Sequence, residues 1–371
     1  MSQSMNLYVH FPFCRRKCSY CALFSAAGRD ESFRDGYAKN LAGIVKSSGC
    51  VFRTVYFGGG TPSLCNLDPL FDAIGERLAE GYEWTVELNP LDADPGRLEN
   101  FRSRGANRVS MGVQSLDDST LADMGRGHTA AEAIDAFKAV RDAGFDNAGI
   151  DLIAGYPSSS KDAWKRTLDG LADFAPDHCS VYSLIREKGT LLDKRLERGE
   201  TFLPGDDAAL GELETAREVL SALSLDRYEI SSYAKKGFEC RHNLAVWRGE
   251  DYIGLGAGAH GRIGLFRSRG TFENPAPLLP SKRCANADCT ELGEVQDALE
   301  RALFRLRTRE GLDLVFVENA YPVLASRLPE WKAKLLSLVD AGILSNAGGK
   351  NVFALSGRGT EVCDAVLSEL I

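Results

Sequence analysis

The stretch LYVHFPFCRRKCSYC, Leu7 to Cys21, decides how the rest of the chain is read. Its first five residues read as a β-strand, and Pro12 then opens a loop carrying Cys14, Cys18 and Cys21 among Arg15, Arg16 and Lys17. Thiols so placed beside cationic side chains are expected to have lowered pKa values and to act as soft metal ligands. Such a loop can wrap one face of an iron–sulfur cluster, and three cysteines in place of four leave one iron open for an exchangeable partner. Two other readings stay open at this point. Positions 14, 18 and 21 also fit a helical stripe of buried cysteines, although Pro12 and the charged filler oppose it. His10 is a fourth donor for a zinc site, although the paired grouping usual in zinc knuckles is absent.

Outward from this loop, short β-rich runs alternate with longer amphipathic runs to about residue 235, the pattern of a parallel α/β fold. Strands are expected to begin at Leu7, Thr54, Trp84, Arg108, Ala148 and Cys179. Helices are expected over Ser32–Ser47, Asp68–Glu80, Ala130–Ala143, Ser159–Phe174 and Asp207–Leu223. Six such units suit either a doubly wound sheet or an incomplete barrel, and both put chemistry at the C-terminal ends of the strands. Polar and Gly-rich segments recur at those ends: Gly58-Gly59-Gly60-Thr61-Pro62, Glu87 with Asn89-Pro90, Gln114 and Asp151.

Beyond, Phe266 to about Gly293 is Pro-bearing and polar and reads as a linker or irregular crossing segment. A helix near Val295–Leu306, another near Pro329–Ala341, the hairpin GILSNAGGKNVFAL and a closing helix make a winged-helix-like unit. The expected division is a core over 1–235, a barrel-closing segment and linker over 236–293, and a small α+β unit over 294–371.

With 371 residues there is length for roughly two domains, which rules out a disulfide-stapled mini-protein. A formal charge of −8 argues against a nucleic-acid binder, which needs clustered Lys and Arg. The N-terminus lacks a basic segment followed by an apolar run, and no stretch reaches the roughly 18 apolar residues of a membrane span, so a reducing cytoplasm is expected. Packing is the default reading for the other cysteines, at 50, 65, 179, 240, 284, 289 and 363.

The triplet C-x3-C-x2-C after an N-terminal strand resembles the radical S-adenosylmethionine (radical SAM) superfamily. The blocks LYVHFPFC, YFGGGTPS, ELNP, RVSMGVQS, DLIAGYP and ECRHN resemble its coproporphyrinogen III oxidase-like family, and within it the heme chaperone branch. The resemblance implies a partial (β/α)6 TIM-type barrel with a small C-terminal α+β domain. It implies a [4Fe-4S] cluster on Cys14, Cys18 and Cys21, whose open iron is chelated by S-adenosylmethionine. Gly58, Gly59, Gly60 and Thr61 would bring backbone to the methionine amino group, and Tyr8 and Tyr20 would contact the nucleoside. Glu87 would bind polar groups of the ligand, Gln114, Arg126 and Asp151 match a second adenosylmethionine site of the oxidase relatives, and an Arg126–Asp151 ion pair is the structural alternative. Ile185 and the run Gly254–Ala259 would complete the floor and rim of the pocket, with the C-terminal domain closing the barrel mouth.

Two departures from the oxidase pattern, Ala22-Leu23-Phe24 where it carries a fourth cysteine and only seven residues before Tyr8, favour the chaperone branch. That branch's heme-associated pattern H-N-x-x-Y-W is met here by His242, Asn243 and Trp247, with Val246 at the Tyr position. His242 would then supply an axial nitrogen to heme and Trp247 would cover the porphyrin face, a core or capping histidine being the alternative. The implied activity is heme binding and transfer to heme-accepting proteins. The alternatives are a radical SAM enzyme acting on a tetrapyrrole and a class C methyltransferase, while coproporphyrinogen oxidase activity itself is not expected. Peripheral membrane association through acceptors and homodimerisation are further expectations, and nucleic acid is not an expected partner.

Overall fold

The computed structural model describes residues 4–280 and 288–371. Cys284 and part of the expected linker lie outside the described residues. Six strands run parallel and in chain order: β1 (Ser4–Phe11), β2 (Val51–Gly59), β3 (Leu78–Leu88), β4 (Arg108–Gln114), β5 (Asn147–Ala154) and β6 (His178–Ser183). A doubly wound sheet reverses its strand order at a switch point, and this sheet does not, so right-handed crossovers place the helices on one face. The architecture is therefore the incomplete barrel. Beyond β6 the sheet continues through β7 (Asp226–Arg227) and β8 (Ser232–Ala234), in the order β6-β8-β7. Beyond β1 it continues through β9 (Tyr252–Leu255), β10 (His260–Ile263), β11 (Phe266–Arg269) and β12 (Cys289–Glu291).

Local sequence explains the crossover helices. Glu31–Ser48 starts where the Asp30 side chain accepts from the Phe33 N–H at 2.8 Å, ends at Gly49 in the left-handed conformation, and buries Tyr37, Leu41 and Val45. Ala130–Asp142 carries a capping box between Thr129 and Glu132, a device worth about 1 kcal/mol. Two expected helices are shorter or broken. The one from Asp68 ends at Gly75 because β3 already begins at Leu78. The one expected to reach Phe174 breaks into Lys161–Asp169 and Leu171–Phe174 at Gly170, where a Cβ would stand 2.5 Å from Leu116.

The expected linker is also corrected, since it contains β11 and β12, which pair antiparallel. Their short Arg- and Glu-bearing sequences sit at a sheet edge and carry no apolar run by which to read a strand.

A second hydrophobic core gathers Leu303, Trp331, Leu335, Phe353 and Leu370 within the C-terminal region. Helix Glu294–Phe304, β13 (Leu312–Asp313), helices Leu314–Ala320 and Leu328–Asp340, and the antiparallel strands β14 (Leu344–Asn346) and β15 (Val352–Leu355) follow the winged-helix order. This unit docks at the N-terminal ends of the barrel strands. The Arg309 N–H donates to the Tyr228 carbonyl at 2.9 Å, and Arg301 meets Asp251, just ahead of β9, at 2.8 Å. The expectation that it closes the barrel mouth is thereby overturned.

Candidate functional site

The loop after β1 is held by its neighbours. The Gly60 and Thr61 N–H groups donate to the Phe11 and Phe13 carbonyls at 2.8 and 2.7 Å, so the loop after β2 hydrogen-bonds the approach to Cys14. A Cβ on Gly60 would lie 2.5 Å from the Phe13 oxygen and 2.9 Å from Cys14 Sγ. Gly59, at φ 103°, lies under the His10 ring, where a Cβ would fall 2.5 Å away. Farther along, Ser19 is anchored by its N–H to the Met124 carbonyl (2.9 Å) and by its hydroxyl to that of Tyr156 (2.8 Å). The Tyr37 hydroxyl donates to the His10 carbonyl at 2.9 Å and accepts from the Ala257 N–H at 2.8 Å, tying the base of the loop to the segment after β9.

This framework leaves a cavity of about 810 Å³ at the C-terminal ends of the strands. Cys14, Cys18 and Cys21 stand on one wall; Gly59, Gly60, Thr61, Glu87, Gln114, Arg126 and Asp151 line it across four successive strands, with Tyr20 and Ile185 beside them. Ile185 is 69% exposed, at the rim. Gly58 lies directly against the Glu87 carboxylate instead, where a Cβ would be 2.9 Å away. Tyr8 turns into the barrel, its hydroxyl 3.0 Å from His10 Nδ1. None of Gly254–Ala259 lines the cavity: that run braces the cysteine loop from outside, with Gly258 packed on Phe24.

Electrostatics at the cavity differ from what the charged filler suggested. Burial and the neighbouring thiols push Cys14 up to about 11, and burial raises Cys21 as well. The cationic filler does not win because Arg15 is directed to Asp92, at 2.8 Å. Glu87 is raised to about 7 by burial and by Asp151, against the Tyr56 hydroxyl (2.9 Å) and the Gly59 N–H (3.0 Å), which both favour its charged form. Asp151 is likewise raised by burial, with the Ser110 hydroxyl at 3.3 Å. No ion pair joins Arg126 to Asp151 among the described residues: Arg126 donates to the Gly112 carbonyl at 2.5 Å and faces Cys18 Sγ at 3.5 Å. Gln114 adopts φ 72°, a sparsely populated conformation for a non-glycine residue, where β4 shifts register against β5.

The residues present fit a cluster with a polar ligand. Three half-buried thiols stand together, and burial and the neighbouring sulfurs raise Cys14 and Cys21, a cost that iron ligation would reverse. The glycine cradle admits no Cβ, and Asn89 Oδ1 and Arg126 Nε are buried without partners. A zinc site completed by His10 fits poorly, because both its nitrogens are engaged, with Tyr8 and with the Phe24 carbonyl at 3.0 Å.

His242 and Trp247 are elsewhere. Helix Arg241–Trp247 plugs the opposite end of the barrel, where Glu83 accepts from the Arg241 and His242 N–H groups at 3.0 Å each. His242 is 4% exposed, its Nδ1 is 2.9 Å from Thr54 Oγ1, and burial and Arg108 lower its pKa to about 3. Trp247 stands edge-on to Phe304 and under Arg307. The structure thus holds His242 as a core histidine and does not bring it to the cysteines. Sequence reading missed Tyr56, Ser110 and Tyr182. The alternation of β-strand side chains was the available signal, since each lies two residues from a residue that shares its face, Gly58, Gly112 and Ser180 respectively.

Comparison with known proteins agrees with this picture. A family model described as the Radical SAM superfamily matches residues 8–171. Heme chaperone HemW of Mycobacterium tuberculosis is 33% identical, over 100% of this chain and 95% of its own. Heme chaperone HemW of Escherichia coli is 36% identical over 70% of each. Coproporphyrinogen III oxidase (HemN) from Escherichia coli shares the fold, with a TM-score of 0.81 at 20% identity over 100% of this chain and 90% of that one.

Proposed function

Because this chain belongs to the radical SAM heme chaperone HemW family, we propose that it binds heme and passes it to heme-accepting proteins, using a [4Fe-4S] cluster and S-adenosylmethionine. The observation that carries this reading is the full-length kinship together with the meeting of triplet, glycine cradle and Glu87 on one cavity. Cys14, Cys18 and Cys21 would hold the cluster. The cluster those thiols would hold would supply one-electron reducing chemistry toward the sulfonium of S-adenosylmethionine. Gly59, Gly60 and Thr61 would let the ligand approach backbone, Glu87 would take its ammonium group, and Tyr20 would lie against its nucleoside. Ile185 and Tyr182 would keep water from the rim.

Heme ligation by His242 would require helix Arg241–Trp247 to withdraw from the barrel, so the chaperone reading does not depend on it. The protein would act in the cytoplasm and meet membranes only peripherally, through its acceptors; among the described residues no helix is long and apolar enough to cross a membrane. Homodimerisation during transfer belongs to the same proposal.

The test is hemin titration of anaerobically reconstituted protein, followed by mixing with an apo-acceptor. A saturable Soret band that moves to the acceptor is expected; no saturable change overturns the reading. A Soret band unchanged in His242→Ala would place heme away from the plug. The second reading, a radical enzyme on a tetrapyrrole or a methyltransferase, is favoured by Gln114, Arg126 and Asp151 lining the same cavity. Substrate-dependent release of 5′-deoxyadenosine under dithionite would support it, and silence across tetrapyrroles would remove it.

A further inference from the structure

Where the C-terminal unit meets the underside of the barrel, a second cavity of about 400 Å³ opens. One wall comes from helix Asp206–Ala222 and the β7–β8 hairpin, the other from segments 306–309 and 355–360. Into it project Arg217, Arg227, Arg307 and Arg309, an assembly that runs against the chain's net charge of −8. Arg309 is paired with Glu239 at 2.9 Å and Arg307 with the highly exposed Asp364 at 2.8 Å.

Arg217 and Arg227 form no salt bridge among the described residues, although Asp226 and Glu229 also line the cavity and Glu229 feels the charge of Arg227; Arg227 shares a hydrogen bond with Tyr233. The Nε of Arg307 is buried and unpartnered. At Gly357 a Cβ would meet Nη1 of Arg217, so a side chain there would push that guanidinium aside.

Like charges in a cleft with low-dielectric walls concentrate counter-ions, and guanidinium groups meet carboxylate or phosphate through paired N–H donors. We propose that this cavity binds a small multivalent anion, carrying phosphate or carboxylate groups, that bridges the barrel and the C-terminal unit. Arg217 and Arg227 grip it from the barrel side and Arg307 from the other. The site lies on the face opposite the cysteines and is independent of the heme reading. It touches the plug helix all the same: Arg307 stands 5.2 Å from the Trp247 ring, and Trp247 hydrogen-bonds Glu229 of the cavity wall.

Calorimetric titration of the full chain with pyrophosphate and with citrate, at ionic strength held constant with sodium chloride, tests this. One-site saturable binding of at least one anion is expected, with a change in tryptophan fluorescence. Arg217→Gln should weaken it about tenfold or more, Arg217→Lys should restore part of the loss, and Gly357→Ala should weaken binding without removing a charge. A response to pyrophosphate alone assigns phosphate chemistry, and a response to citrate alone assigns carboxylate chemistry. Absence of saturable binding, or equal binding in wild type, Arg217→Gln and Gly357→Ala, overturns the proposal. Hemin binding and cluster content should be the same in Arg217→Gln and wild type, which separates this test from the previous one.

Discussion

The two ends of the barrel are built on opposite terms. At the C-terminal mouth the side chains face a cavity of about 810 Å³, backbone is strained at Gln114, and Asn89 and Arg126 keep buried atoms without partners. At the N-terminal floor side chains fill the barrel and pair across strands: Glu83 accepts from two backbone N–H groups and the Cys240 thiol, Thr54 meets Asn6 and His242, and His178 meets Tyr228 at 2.8 Å, while Arg108 Nε and His178 Nδ1 are buried without partners. Arg108, 1% exposed, sits among Glu83, Cys240 and Tyr56. An open cavity and strained backbone mark the end that waits for ligands, and side chains packed and paired across strands mark the end that fixes the fold.

The largest expected effect lies at the mouth. Cys18→Ser should abolish cluster assembly, with iron and sulfide after anaerobic reconstitution falling from near four per chain to below one, while the melting temperature of the apo-protein stays within a degree or two. A large loss of apo-stability would mean that the loop also serves the fold and would break the contrast.

Next comes the floor. Glu83→Ala leaves two backbone N–H donors and a thiol without their acceptor and removes the negative charge facing buried Arg108, and should cost about 3–5 kcal/mol by urea unfolding. Iron content in the surviving folded fraction should not change.

A smaller effect distinguishes the ends by pH. Glu87, raised to about 7, keeps its proton when an unfolded glutamate has lost one, so between roughly pH 4.5 and 7 its contribution to stability falls as pH rises. His242, lowered to about 3, refuses a proton that the unfolded chain takes below roughly pH 6.5, so its contribution rises with pH over that range. In the apo-protein Glu87→Gln should therefore steepen the rise of the urea midpoint between pH 4.5 and 6.5, and His242→Gln should flatten it. Parallel profiles in all three proteins would show that neither group is titrating as its surroundings imply.

The smallest effect belongs to the seam below the floor, where Trp247→Phe keeps an aromatic ring near Phe304 but loses the bond to Glu229. Its cost should be about 1 kcal/mol, read from the denaturation midpoint.

The same contrast explains what the sequence could disclose. The mouth was legible because its residues follow their strands directly: Cys14 to Cys21 after β1, Gly60 and Thr61 after β2, Glu87 at the end of β3. The order of β/α units was legible for the same reason. The floor was not, because Glu83, Thr54 and Arg108 become partners only through register between distant strands, and nothing beside them in the chain marks that. His242 shows the limit well: a local motif named the residue, but only tertiary structure tells which end of the barrel its helix plugs. The docking of the C-terminal unit beneath the barrel was equally hidden, since it depends on pairs such as Arg301 with Asp251, 50 positions apart.

One neighbour of β1 carries a consequence for the order of synthesis. The strand that delivers the cysteines leaves the ribosome before β2 and β9, yet it lies between them in the finished sheet. The Asn6 amide that locks it to the start of β9 finds its partner, the Asp251 carbonyl, only 245 positions later. The phenol that steadies the base of the loop likewise waits 220 positions for the Ala257 N–H. During translation the cysteine loop is therefore supported on one side only until the segment around Asp251 to Ala257 has emerged, and metal loading is best timed after that point.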